Sequence, residues 1–180
     1  MTLVLLIAIS MMWFPFGCLH LGVGEGRTVG AITGFVGIVT VVGGLLEATT
    51  ALGAPPDNFS AALLVVFGLL YLQLSYCILA GVEDLRSFGL TCLMLAIICG
   101  IYGFIWATGG GVKPDGSPMI AKVPYLVFMM VDFVILLLAV CGLTFGKIPG
   151  KLVGALLVIL VFVGLLAPAF GLLAYGKLPF

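Results

Sequence analysis

Two carboxylates stand inside apolar stretches, where a charge is costly: Asp132, within Met129-Met130-Val131-Asp132-Phe133, and Glu47, near the end of another run. A charged group at the centre of a membrane-spanning helix costs about 2.5–3.5 kcal/mol on insertion scales. No Lys or Arg is expected at the depth of Asp132 to offset it. Asp132 must be protonated, hydrogen-bonded or facing water. It either lines a polar route and takes up protons, or is a neutral acid bonded to another helix. Glu47 is cheaper, because it can approach the membrane surface. A second group is neutral. Tyr71 and Ser75 are spaced i,i+4, so they share one helical face, with Gly68 a turn before. Gln73 and Tyr76 lie on a neighbouring face. Hydroxyls and an amide can replace some of water's hydrogen bonds to an uncharged solute without trapping an ion. The same groups can instead bond neighbouring helices, at about 0.6 kcal/mol each.

Other chemistries find no residues to carry them. His20 is the only histidine, and no GxSxG or HExxH pattern occurs. Gly109-Gly110-Gly111 with Lys113 lacks the phosphate-loop spacing. Cys18, Cys77, Cys92, Cys99 and Cys141 lack CxxC spacing and read as small packing residues. The expectation is no enzyme, no metal, no cofactor and, without a basic tract, no nucleic-acid partner.

The elements that must position these residues follow from composition. Of 180 residues, 63% are hydrophobic and 8% charged, with a mean hydropathy of +1.40. A water-soluble domain built from them would have no polar surface, so the lipid bilayer is the solvent. Six apolar stretches occupy about 2–21, 29–52, 59–79, 87–107, 123–145 and 152–175, each near the roughly 20 residues that a helical span needs. The fold class is therefore an all-α membrane protein: one transmembrane domain, 1–180, of six transmembrane helices arranged as three helical hairpins, about 2–52, 59–107 and 123–175. The first stretch lacks a basic lead and a cleavage site, so it reads as a retained span. The cluster Gly53-Ala54-Pro55-Pro56-Asp57-Asn58 breaks the chain after span two.

Gaps after the odd spans hold Arg27, Arg86, Lys147 and Lys151, and the opposite side holds Lys113, Lys122 and Lys177. The count favours odd gaps inside and both termini outside. Each even span opens on a basic-x-x-Gly corner: Arg27-Thr28-Val29-Gly30, Arg86-Ser87-Phe88-Gly89 and Lys151-Leu152-Val153-Gly154. These read as three copies of one hairpin, about 60 residues each, a common plan in transport folds.

Several stretches, in order, resemble the AmiS/UreI family of bacterial urea and short-chain amide channels and transporters. Phe16-Gly17-Cys18-Leu19-His20-Leu21 resembles the end of its first helix, and Gly34-Phe35-Val36-Gly37 a helix-two segment. Phe67-Gly68-Leu69-Leu70-Tyr71-Leu72 is similar to its helix-three motif. Lys147-Ile148-Pro149, with Lys151, and Ala167-Pro168-Ala169-Phe170 are similar to its last turn and ending. The resemblance implies a pore through each protomer, a hexameric ring, outside termini and a bacterial or archaeal inner membrane. Carried over by motif, Phe67, Tyr71, Phe133 and Trp13 are pore positions. This chain departs from the pattern at Phe16, at Gly34 or Thr33, and at Gln73, and Asp132 has no clear family counterpart. The expected function is a channel or facilitator for small uncharged polar solutes such as urea or short amides, with Tyr71, Gln73 and Ser75 offering hydrogen bonds. Glu47 and Thr33 form a possible secondary polar site. Two alternatives stand: a proton-coupled transporter using Asp132, and a non-transporting accessory subunit.

Overall fold

A computed structural model describes residues 2–51 and 57–178. Residues 52–56, which include most of the breaker cluster, lie outside the described residues. Helices α1 (Thr2–His20), α2 (Gly26–Glu47), α3 (Asn58–Leu79), α4 (Arg86–Thr108) and α5 (Pro124–Thr144) come first. A last stretch follows: α6 (Gly150–Leu160), a π-helical segment (Val161–Leu166) and α7 (Ala167–Tyr175). Among the described residues the β-structure is one isolated bridge, Val112 to Pro118. Five helices are long and apolar enough to cross a membrane: Gly26–Glu47, Asn58–Leu79, Arg86–Thr108, Pro124–Thr144 and Gly150–Tyr175. Helix α1 is equally apolar but shorter.

Local chemistry sets the ends. The Glu25 carboxylate accepts from the backbone N–H of Arg27 and Thr28, both at 2.7 Å, where α2 begins. Asp57 does the same for Ser60 at 3.0 Å, so both helix starts are capped. Gly109 (φ 89°) ends α4 in the left-handed conformation that glycine adopts without strain.

The outer surface is as apolar as the core, unlike that of a water-soluble protein. Phe35, Met94, Phe104 and Leu173 face outward, while Ser10, Thr33, Thr40, Ser75 and Asp132 are buried. Lipid favours this arrangement, since a polar group facing hydrocarbon would lack partners. Thr33 and Thr40 satisfy their hydroxyls within their own helix, donating to the carbonyls of Val29 and Val36 at 2.7 Å.

The helices pack most extensively as α2 on α3, α4 on α5, and α1 on α6. The expected hairpins pair each odd span with the next even one; those neighbours touch, but the broadest interfaces lie elsewhere. The corner glycines explain why. A Cβ on Gly30 would meet Ile78 at 2.9 Å, near the end of α3. One on Gly89 would collide with Thr144, at the end of α5. One on Gly154 would lie 2.7 Å from the Gly17 carbonyl oxygen and 2.9 Å from His20 Cβ, at the end of α1. Each even span thus seats its first turn on the last turn of an odd span, and the third seat joins the end of the chain to its beginning. Along α2 and α3 the approach continues: a Cβ on Gly68 would lie 2.8 Å from the Val41 nitrogen and 2.9 Å from the Gly37 oxygen.

The π segment has a local cause. Pro168 has no N–H, so the Val163 and Gly164 carbonyls lose the donor that an i−5 or i−4 bond would need. Tyr125 supplies one replacement, its hydroxyl donating to the Val163 oxygen at 2.8 Å.

Candidate pore

Three odd helices send aromatic side chains to one level: Trp13 from α1, Phe67 and Tyr71 from α3, Phe133 from α5. All four are buried. Phe133 packs edge-on against Trp13, with centroids 5.5 Å apart, and against Phe67 at 5.1 Å. The Phe67 and Tyr71 rings are 6.1 Å apart. These four line a central cavity of about 40 Å³, completed by apolar side chains such as Leu70, Leu74, Leu136 and Leu137. No charged side chain contributes to its wall.

A wider chamber opens on either side. At the end of the bundle that carries the basic-x-x-Gly corners, a cup of about 710 Å³ is walled by Phe16, His20, Leu74, Glu83, Asp84, Arg86, Phe88 and Thr144, among others. At the other end, a chamber of about 330 Å³ is walled by Glu47, Ser60, Trp106, Met129, Met130 and Leu165, among others, together with Phe67, Tyr71 and Phe133. Each chamber shares wall residues with the central cavity. Phe16, Leu74, Phe88 and Val140 are shared with the corner-end cup, and Phe67, Tyr71 and Phe133 with the other chamber, so the aromatic cluster stands where these spaces meet.

At the corner-end rim, Arg86 forms an ion pair with Asp84, Nη2 to Oδ2 at 2.7 Å. Hydrogen bonds from the Arg86 side chain hold the Asp84 carboxyl well down, at about 2. Both groups are exposed, so the pair adds charge and little stability.

The structure brings together Trp13, Phe67, Tyr71 and Phe133, and puts Glu47 in the chamber opposite the corners. It sets the other sequence candidates apart. The Ser75 hydroxyl donates to the Gly30 carbonyl at 2.7 Å, and a Cβ on Gly34 would lie 2.7 Å from that same hydroxyl. Ser75 therefore fastens α3 to α2 and lines none of the three chambers. Gln73 is half-buried and also off their walls. Thr33, read from the sequence as part of a possible secondary polar site, donates its hydroxyl to the Val29 carbonyl of its own helix. Asp132, 9% exposed, lines none of the three chambers. Its Oδ2 is buried with no hydrogen-bond partner among the described residues, and faces Gly164 of the π segment, 3.8 Å from where a Cβ would stand.

The wall also contains residues that the polar-group reading did not single out. On α3, Phe67, Leu70, Tyr71 and Leu74 all line the centre. On α5, Phe133, Leu136, Leu137 and Val140 do the same. Both sets follow the i, i+3, i+4, i+7 stripe of one helical face. Extending that spacing from Phe67 and Phe133 would have found them.

Among the described residues, no group of three or more His, Cys, Asp or Glu is placed to hold a metal ion. The five cysteines are free thiols.

Residues 1–175 match the family described as AmiS/UreI family transporter. No curated protein matches the chain in sequence. Two solved structures share its fold. The crystal structure of the urea channel from the human gastric pathogen Helicobacter pylori has a TM-score of 0.80 at 20% identity, covering 99% of this chain and 100% of that one. The cryoEM structure of the Helicobacter pylori urea channel in its closed state has a TM-score of 0.79 at 19% identity, covering 96% and 97%.

Proposed function

The chain belongs to the AmiS/UreI transporter family, and from that membership we propose that it is a passive channel or facilitator for a small uncharged polar solute, urea or a short-chain amide. The observation that carries this reading is the aromatic constriction between two vestibules. A planar neutral amide can shed part of its hydration and slide between ring faces. An ion cannot, because the central wall offers no charge to replace its water. Tyr71 and Trp13 carry polar side-chain atoms on this wall and engage each other, so the cavity itself is almost wholly apolar. The Helicobacter pylori proteins of the same fold are urea channels, which supports the choice of solute.

The finer architecture belongs to the same proposal. Six spans cross an inner membrane as three repeats, the basic corners face inside, both termini face outside, and protomers assemble into a homo-hexamer. The three equivalent glycine seats support the repeat; the hexamer rests on the family resemblance.

A proton-coupled transporter is the second reading, favoured by the buried, unpartnered Oδ2 of Asp132. Its absence from all three chamber walls favours the channel. Urea and acetamide flux into proteoliposomes separates them. Channel behaviour is flux driven by the solute gradient alone and retained in Asp132→Asn. Concentrative uptake driven by a proton gradient and lost in that variant would replace it. No flux of any small amide would leave an accessory subunit.

A further inference from the structure

The cup at the corner end has a buried polar atom that no described residue engages. His20, the last residue of α1, lines that cup, and its Nε2 is buried with no hydrogen-bond partner among the described residues. The other polar side chains on the wall are already bonded or lie at the rim. Thr144 donates its hydroxyl to the Cys141 carbonyl at 2.8 Å, Asp84 and Arg86 pair with each other, and Glu83 is exposed. His20 also continues one face of α1, because Trp13, Phe16 and His20 fall at i, i+3 and i+7. Trp13 lines the central cavity, Phe16 lines both cavity and cup, and His20 lines the cup. The Phe16 and His20 rings meet edge-on, with centroids 4.8 Å apart. A solute that displaces Phe16 to leave the cavity therefore arrives at the imidazole.

The start of α6 decides which nitrogen donates. A Cβ on Gly154 would lie 2.9 Å from His20 Cβ, so α6 packs directly on this residue, and one on Gly150 would lie 3.4 Å from Nδ1. Gly150 is the first residue of α6, a helix start that no side chain caps. The positive end of a helix favours a lone pair over a proton on the nearest nitrogen. A neutral imidazole has one donor and one acceptor, so the proton belongs on Nε2. A protonated ring keeps the same N–H, so the donor is present in either form.

Resting on the channel reading, we propose that His20 selects among solutes: its Nε2–H donates to the carbonyl oxygen of a urea or amide leaving the aromatic cavity toward the corner end. Inside the cavity Trp13 and Tyr71 engage each other, so the carbonyl crosses with little to bond. At His20 a stripped carbonyl meets a buried, unbonded N–H, and each restores the hydrogen bond the other lacks. The exit from the cavity thus favours a strong carbonyl acceptor over the thiocarbonyl of thiourea, whose sulfur accepts weakly.

His20 is the chain's single histidine, so nitrogen NMR of the full chain, purified without a histidine tag, reads this ring alone. The neutral ring should be protonated at Nε2, and the Nε2 signal should move with added urea and less with thiourea. In proteoliposomes at low solute concentration, the urea-to-thiourea flux ratio should fall about 2- to 12-fold in His20→Leu, the weight of one hydrogen bond. His20→Gln, which retains an N–H donor, should stay near wild type. A neutral ring protonated at Nδ1, an Nε2 signal unmoved by urea, an unchanged flux ratio in a folded His20→Leu protein, or an equal loss in His20→Gln would each overturn the role of His20 and leave the channel standing. Absence of urea flux in the wild type, with the Nε2 signal still moved by urea, would overturn the channel reading and leave the His20 site.

Discussion

Phe133→Ala is the sharpest test of the constriction, because Phe133 is the ring that touches both of its neighbours. The substitution removes two edge-on contacts, to Trp13 at 5.5 Å and to Phe67 at 5.1 Å. Such contacts are worth about 0.5–1.5 kcal/mol each, or about 1–3 kcal/mol together. It also removes one of the three rings that the central cavity shares with the 330 Å³ vestibule, Phe67, Tyr71 and Phe133, and so widens the junction of the two spaces. If a solute crosses by parting these rings, most of that energy sits in its barrier. Lowering the barrier by this amount raises a rate about 5- to 150-fold. The gain should be largest for solutes that part the rings most, so butyramide should gain more than urea. The assay is stopped-flow light scattering from proteoliposomes under urea, acetamide and butyramide gradients, with sucrose as the impermeant control. Phe133→Leu, which keeps an apolar plug, should stay near wild type. An unchanged butyramide-to-urea ratio in a correctly folded Phe133→Ala protein would refute the path through these rings.

Three further outcomes follow from particular contacts. Gly68→Val should cost about 1–3 kcal/mol or more by overpacking, seen as a lower Tm in detergent, because its Cβ meets backbone atoms of Val41 and Gly37; Gly100→Ala, with nothing within 4 Å, should leave Tm unchanged or slightly raised. Ser75→Ala should lose only the bond to the Gly30 carbonyl, about 0.6 kcal/mol and at most about 1.7 kcal/mol, and the amide-to-urea flux ratio should not move. The pH dependence at the corner-end rim has a definite sign. Arg86 depresses the Asp84 carboxyl to about 2 in the folded protein, from an ordinary value of 3.8, so its small stabilisation is complete above the ordinary value and is lost as pH falls through about 2. Mild acidification of that side should therefore leave this pair and urea flux intact, and an Asp84→Asn protein should show the same pH profile as wild type.

The bilayer as solvent, the apolar helices and the corner turns were all legible in the chain, because each rests on local composition: long apolar runs, breakers between them and nearly every charge confined to the gaps. The basic-x-x-Gly corners were legible as a repeat in sequence, but not for what they touch. Only the fold showed that Gly30, Gly89 and Gly154 seat even helices on odd ones, including the last span on the first. The aromatic positions Trp13, Phe67, Tyr71 and Phe133 came from motif, and the fold places all four on one cavity, since the motifs fix their register on the helix. The polar candidates fared differently. Ser75 and Thr33 carry hydroxyls suited to a route, yet both are occupied by carbonyls, and a residue type cannot say which neighbour takes its hydrogen bond. Asp132 stood out in the sequence for its cost. That it faces Gly164 of a π segment and lines none of the three chambers depends on how span six meets α5, with Pro168 and Tyr125 shaping that contact. Composition determined the solvent and the helices, because these are properties of single segments. Which stripes meet, and which polar atom is left off the chamber walls, is a property of pairs of helices, and the tertiary structure alone decided it.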